Sequence, residues 1–170
     1  MYQENDHYHY IEEEVRKIFK QNLDSGNWQI SQSEYRNFCK LLSCLNKEFV
    51  DLLANEIHVV IFSLEKRERM DNKRMPCCFI NLQDEKFLRA KKGVMIFSPY
   101  LLTLSFACIK LKKIFHEIAH YKLNHLMTDI DKDIRRKHEQ DADKLALEWL
   151  QQEIHHLNGL TSSKANRQKK

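Results

Sequence analysis

The sequence predicts an α+β chain dominated by helices, and three observations carry that expectation. Only three glycines and two prolines punctuate 170 residues, too few for a turn-rich all-β architecture. Apolar residues recur at helical spacing over most of the length. In the middle, three short β-branched or apolar runs interrupt that spacing, as a small three-stranded sheet does. The 42% hydrophobic and 31% charged content is that of a folded globular domain, and the length suits one core.

The elements follow in order. Residues 8–23 carry Ile11, Val15, Ile18, Phe19 and Leu23 at helical spacing and end near Ser25-Gly26. Ser31 followed by Glu34 has the capping-box pattern and opens a longer helix with the stripe Tyr35, Phe38, Leu42, Leu45, Phe49, Leu52 and Leu53. The strands are expected at 57–64, 77–82 and 94–97, separated by charged connectors at 65–75 and 83–92. Ser98 can cap a helix whose first position is Pro99. Its pattern runs to about Met127, with a break between Thr103 and Cys108. A last helix is expected from about Arg135 to Leu157, stopping at Asn158-Gly159. Thus residues 1–159 form one domain with a helical part at about 8–55, and residues 160–170 form a basic disordered tail.

Composition also narrows the function classes. A net charge of +4 is mild, and the basic clusters are interleaved with acids and apolar residues, which reads as solvated surface rather than a nucleic-acid stripe. Five cysteines form no C-x-x-C pair. Adjacent Cys77 and Cys78 would point to opposite faces of a strand, so mostly buried, reduced thiols are expected. The N-terminus is polar and acidic, without a signal peptide, and no apolar run approaches the length of a bilayer span. A soluble, cytoplasmic protein with no membrane partner is expected.

His116-Glu117-Ile118-Ala119-His120 is an H-E-x-x-H motif. Four residues apart on a helix, both imidazoles project from one face toward a common point, where a zinc ion can accept two ring nitrogens. Glu117 is close enough to take a proton from a metal-bound water without being a ligand. On a helical wheel, His116 and His120 fall about 140° and about 180° from Leu111, on the far side of the apolar stripe. That side could be plain solvent or the lining of a cleft. In the last helix, Glu139 and Asp143 share the face of Ala142, Ala146, Leu150 and Ile154. Two inward carboxylates need compensation. A zinc ion for Glu139 and an imidazole N–H for Asp143 would provide it, and so would an ordinary ion pair with Lys or Arg.

H-E-x-x-H followed by E-x-x-A-D on a later helix resembles the gluzincin metallopeptidases. The resemblance covers 116–120 and 139–143. It implies His116, His120 and Glu139 as zinc ligands, Glu117 as general base, and Asp143 as the partner that orients a ligand histidine. The order of elements resembles the minigluzincins, which implies a zincin-like fold with an active-site helix and a glutamate helix around the small sheet. HEIAHYKLNH with EQDAD is also similar to the Lit-like and ImmA/IrrE-like bacterial proteases, which implies a regulatory or phage-defence protease with one specific target. By the same resemblance, a protein or peptide substrate lies along a sheet edge beside the active-site helix, and Val94, Met95, Ile96 and Phe97 are the edge strand expected to receive it. The chain departs from the metzincin pattern at Leu123 and Leu126, which leaves His125 out of register. No motif identifies a residue to stabilise the oxyanion. Tyr100, His125, His138 and His155 are the candidates. Without such a helper, a catalytically silent zinc-binding interaction module on the same scaffold is the competing expectation, and a basic nucleic-acid-binding domain a more distant one.

Overall fold

The computed structural model describes residues 31–61, 76–81, 93–125 and 131–167 together with Ile18, and of 156–167 the backbone alone. In chain order the elements are α1 (Gln32–Leu42), α2 (Lys47–Asn55), β1 (Ile57–Ile61), β2 (Cys77–Asn81), β3 (Gly93–Phe97), α3 (Tyr100–Thr103), α4 (Ala107–Lys122) and α5 (Lys132–Arg167). The chain is α+β and helix-rich, with a three-stranded mixed sheet. The helix expected at 8–23 lies outside the described residues except for Ile18, which is helical and buried. The two charged connectors lie outside them as well.

Ser31 opens α1 with both halves of the capping box. Its Oγ accepts the Glu34 N–H at 3.2 Å, and Glu34 Oε2 accepts the Ser31 N–H at 2.9 Å. The single long helix expected beyond it is in fact two. The chain turns after Leu42, and Asn46 begins α2 by accepting the Phe49 N–H at 3.2 Å. Leu42, Leu45 and Phe49 are all buried, so the apolar spacing runs unbroken across the turn and conceals it.

The strand order is β1-β3-β2, with β1 parallel and β2 antiparallel to β3. This corrects the expectation for Val94, Met95, Ile96 and Phe97. They form the central strand, paired with 58–61 on one side and 77–80 on the other, and cannot receive a peptide along either side. The edge next to α4 is β2. The Ser98 N–H donates to the Pro76 carbonyl at 2.9 Å, which extends the ladder. Hydrogen-bonded pairs alternate along an antiparallel ladder, so 76/98, 78/96 and 80/94 are the bonded pairs and the backbone of Cys77, Phe79 and Asn81 faces outward. Gly93, opposite Asn81, is required by close packing: a Cβ there would lie 2.4 Å from the Phe79 ring and 2.9 Å from the Ile80 carbonyl oxygen.

The helices cover the sheet face bearing Ile57, Val59, Ile61, Cys77, Phe79, Met95 and Phe97. Phe38 stacks on Phe97 at 5.9 Å and ties α1 to β3. Phe79 meets Tyr121 at 5.6 Å and ties β2 to α4. Phe49, Phe115 and Trp149 form a triangle of rings 4.9–6.1 Å apart that joins α2, α4 and α5. The expected break before Cys108 is present. Ser98 Oγ accepts the Tyr100 N–H at 3.2 Å, α3 ends at Thr103, and α4 starts at Ala107.

Asp131 caps α5, its Oδ1 accepting the Asp133 N–H at 2.8 Å and the Ile134 N–H at 3.3 Å. The helix passes through Asn158-Gly159 to Arg167, so residues 160–167 are helical in backbone rather than a disordered tail. An internal glycine costs a helix about 1 kcal/mol relative to alanine, too little to end it unaided. No helix among the described residues is long and apolar enough to cross a membrane. Of the five free thiols, Cys77 and Cys78 are buried and Cys39 half-buried, while Cys44 and Cys108 are exposed, fewer buried than expected.

Candidate metal centre

Helix α4 brings His116 and His120 one turn apart, with ring centroids 4.7 Å apart and Nε2 atoms 3.1 Å apart. Helix α5 packs along α4 more extensively than any other described pair of elements. Ala142 and Ala146, both fully buried, allow the close approach, and Glu139 and Asp143 flank them. Glu139 Oε2 lies 3.2 Å from His116 Nε2, and Oε1 lies 3.6 Å from His120 Nε2. His116, His120 and Glu139 thus each offer one ligand atom, all within 4.8 Å of one another. On the other side of the His116 ring, Asp143 Oδ1 lies 3.1 Å from Nδ1 and 3.5 Å from Lys112 Nζ.

The structure brings these four residues together but corrects the reason given for it. The carboxylates are not buried: the side chains of Glu139 and Asp143 are 54% exposed, whereas those of His116 and His120 are 12% and 15% exposed. The histidines form the floor and the acids the rim, so the burial to be compensated is partial rather than complete. The donor chemistry makes the stronger case. Two imidazole nitrogens and one carboxylate oxygen converge on a point, and three protein ligands of this kind with an open fourth position are those of catalytic zinc sites. For His116, the Asp143 carboxylate accepts the hydrogen on Nδ1 and turns Nε2 toward Glu139 and His120. Partial burial pushes the Asp143 carboxyl up, but the charges of His116 and Lys112 and their hydrogen bonds more than offset this and hold it below its usual range. His120 is pushed down to about 4 by burial first and then by His116, against the pull of Glu139. It is therefore neutral at neutral pH, the form that binds a metal.

Glu117 turns from this cluster toward the sheet edge. The Phe79 N–H donates to its Oε2 at 2.7 Å. Burial pushes its carboxyl up to about 8, the Phe79 hydrogen bond opposing, Glu139 reinforcing and Lys113 opposing. The neighbouring Cys77 thiol is also pushed well up, by burial and then by Glu117, which leaves it a poor ligand.

Of the four residues considered for the oxyanion, His125 and His138 join the cluster from behind. His125 Nδ1 lies 3.0 Å from His120 Nδ1, and its ring stacks on His138 with centroids 3.9 Å apart and planes 6° apart. Tyr100 sits on α3, and His155 is exposed on α5. Residue-type reasoning alone missed what His125 touches. The signal was Asn124, a residue suited to the left-handed turn that closes a helix.

Comparison with models of known protein families, with curated proteins and with solved structures returned no match.

Proposed function

We propose that the chain is a zinc-dependent endopeptidase of the gluzincin type on a zincin-like, minigluzincin fold. The observation that carries this reading is the convergence of His116 Nε2, His120 Nε2 and a Glu139 oxygen, with Glu117 on the intervening helical turn. When bound, zinc supplies Lewis acidity, lowering the pKa of a coordinated water to about 7 and polarising a carbonyl. The chain's own residues divide the remaining work. His116, His120 and Glu139 hold the ion. Asp143 keeps His116 in the ligating tautomer. Glu117 takes the proton of the attacking water and passes it to the leaving amine. A cation nearby favours its ionised form and draws its pKa down from about 8.

A protein or peptide substrate is accommodated along β2, the edge strand beside α4 among the described residues, by addition of a strand to the sheet in which the Phe79 N–H passes from Glu117 to the substrate. This replaces the expectation that placed substrate on 94–97. The test is Glu117→Gln, assayed against a library of random peptides. It should retain zinc and lose hydrolysis, and retained hydrolysis would contradict the assignment.

One observation favours a second reading, a zinc-binding interaction module without turnover. Glu117 Oε2 is already engaged by the Phe79 N–H. On that reading, wild type and Glu117→Gln bind zinc equally and neither cleaves any member of the library.

A further inference from the structure

We propose that His125 is a positioning residue for the metal centre, folded back by the C-terminal cap of α4 so that its Nδ1 accepts the Nδ1–H of His120 and leaves His120 Nε2 bare for the cation. The inference rests on the metal reading above and names the residue that completes it.

The cap sets the position. Helix α4 ends at Lys122, and Leu123 follows as its C-cap. Asn124 has φ 56°, the left-handed conformation of the residue after a C-cap. Its N–H donates to the Tyr121 carbonyl at 3.1 Å, and the His125 N–H donates to the His120 carbonyl at 3.0 Å. This pair of bonds is a Schellman closure, which carries the second residue past the cap back over the third residue from the helix end. Here those two residues are His125 and His120. The helix therefore places the partner of its second ligand by the geometry of its own termination. Asn81 pins the cap to β2, its Nδ2 donating to Asn124 Oδ1 at 3.1 Å and to the His125 carbonyl at 3.5 Å.

The ring chemistry then has one solution compatible with a metal. Two Nδ1 atoms at 3.0 Å need one hydrogen between them. If His125 donated it, neutral His120 would carry its own hydrogen on Nε2, facing His116 and Glu139 where a ligand lone pair is required. If His120 donates, its Nε2 is bare and, with no ion bound, accepts the one hydrogen that lies between the Nε2 atoms of His116 and His120, 3.1 Å apart, and His125 carries its hydrogen on Nε2. The stack against His138 fixes the plane in which the His125 lone pair points. The Nδ1 of each ligand histidine is thus committed as a donor, by different means. His116 uses a carboxylate from the neighbouring helix, and His120 a neutral imidazole from its own.

The experiment is long-range proton–nitrogen NMR of the histidine rings in metal-free protein, followed by zinc titration of wild type, His125→Phe and His125→Asn. Phenylalanine keeps a ring against His138 but accepts no hydrogen bond. Asparagine keeps an acceptor near the Nδ1 position. Expected are His120 as the Nδ1–H form in wild type and in His125→Asn, a shift toward Nε2–H in His125→Phe, and zinc affinity about 10–100-fold lower in His125→Phe with most of it restored in His125→Asn. His120 found as Nε2–H in metal-free wild type would overturn the proposal, and that spectrum needs no variant to fold. Equal loss of affinity in both variants with the His120 tautomer unchanged would overturn it too, reducing His125 to packing. Wild type with His120 as Nδ1–H but no zinc binding would overturn the metal reading, and the positioning role with it, while identifying the ligand set as the point of failure.

Discussion

Asp143 reaches His116 across the interface of α4 and α5, its Oδ1 3.1 Å from the Nδ1 of the ring whose Nε2 faces Glu139 at 3.2 Å. A carboxylate can only accept, so Nδ1 carries a hydrogen, and the contact couples an exposed rim residue to the ring whose Nε2 faces Glu139. Asp143→Asn can still present a carbonyl oxygen but without the charge, and Asp143→Ala removes the acceptor. Zinc affinity measured by competition with a chelator should fall about 10–100-fold for the alanine variant and less for asparagine. Lys112→Ala should change it little, because the Lys112–Asp143 ion pair is half-exposed and such pairs contribute about 0–1 kcal/mol.

The raised carboxyl of Glu117 implies a pH dependence of stability in metal-free protein. Its pKa is pushed from 4.5 to about 8, so folding favours the protonated form. Stability from this group is complete below about pH 4.5 and is lost as pH rises through 8. The span corresponds to up to about 5 kcal/mol at about 1.4 kcal/mol per pH unit. His120, lowered from 6.5 to about 4, acts in the opposite sense: its contribution is present above pH 6.5 and lost as pH falls toward 4. Urea denaturation of metal-free Glu117→Gln between pH 5 and 9 should show a smaller decline with rising pH than wild type. An identical decline would show that Glu117 is not held protonated by its surroundings.

The ring triangle of Phe49, Phe115 and Trp149 sets the spacing of α4 and α5, and hence of His116, His120 and Glu139. Phe115 is fully buried at its centre. Phe115→Ala should cost about 3–5 kcal/mol of stability in chemical denaturation. Zinc affinity should fall with it even though Phe115 offers no ligand atom. Unchanged stability would place the weight of the helix pairing elsewhere.

How much of this is legible in the sequence depends on how local the encoding is. Ser31 with Glu34, the break before Cys108, and the four-residue spacings of His116 with His120 and of Glu139 with Asp143 are short-range patterns, and the structure shows the cap, the break and each pair on one helix. Properties set by distant neighbours are not legible. A helical wheel gives the direction of Glu139 and Asp143 but not how far α4 extends over them, so their exposure came as a correction. Strand composition does not state strand order, and β3 proved central. Gly93 marks only the contact of β3 with β2, where a missing Cβ admits the Phe79 ring. The turn at Ser43 was hidden because the stripes of α1 and α2 stay in phase, although Asn46 three residues before Phe49 carries a capping signal of its own.

Asn124 offers a stability test of the α4 cap that is separate from metal binding. Its φ of 56° suits glycine or asparagine and penalises other residues by about 1–2 kcal/mol. Asn124→Gly should keep stability close to wild type, whereas Asn124→Val should lower it by about that amount or more and weaken zinc binding through displacement of His125. Thermal melts with and without zinc would separate the two effects. Equal behaviour of the two variants would remove the cap from the account.

The most direct measurement of the metal centre is the zinc content of purified wild type beside Glu139→Ala. Glu139 is half-exposed at the rim, so its removal should leave the fold intact by circular dichroism. Stoichiometric zinc in wild type and its loss in Glu139→Ala is the expected result. Wild type without zinc after reconstitution, or Glu139→Ala binding as tightly as wild type, would contradict it.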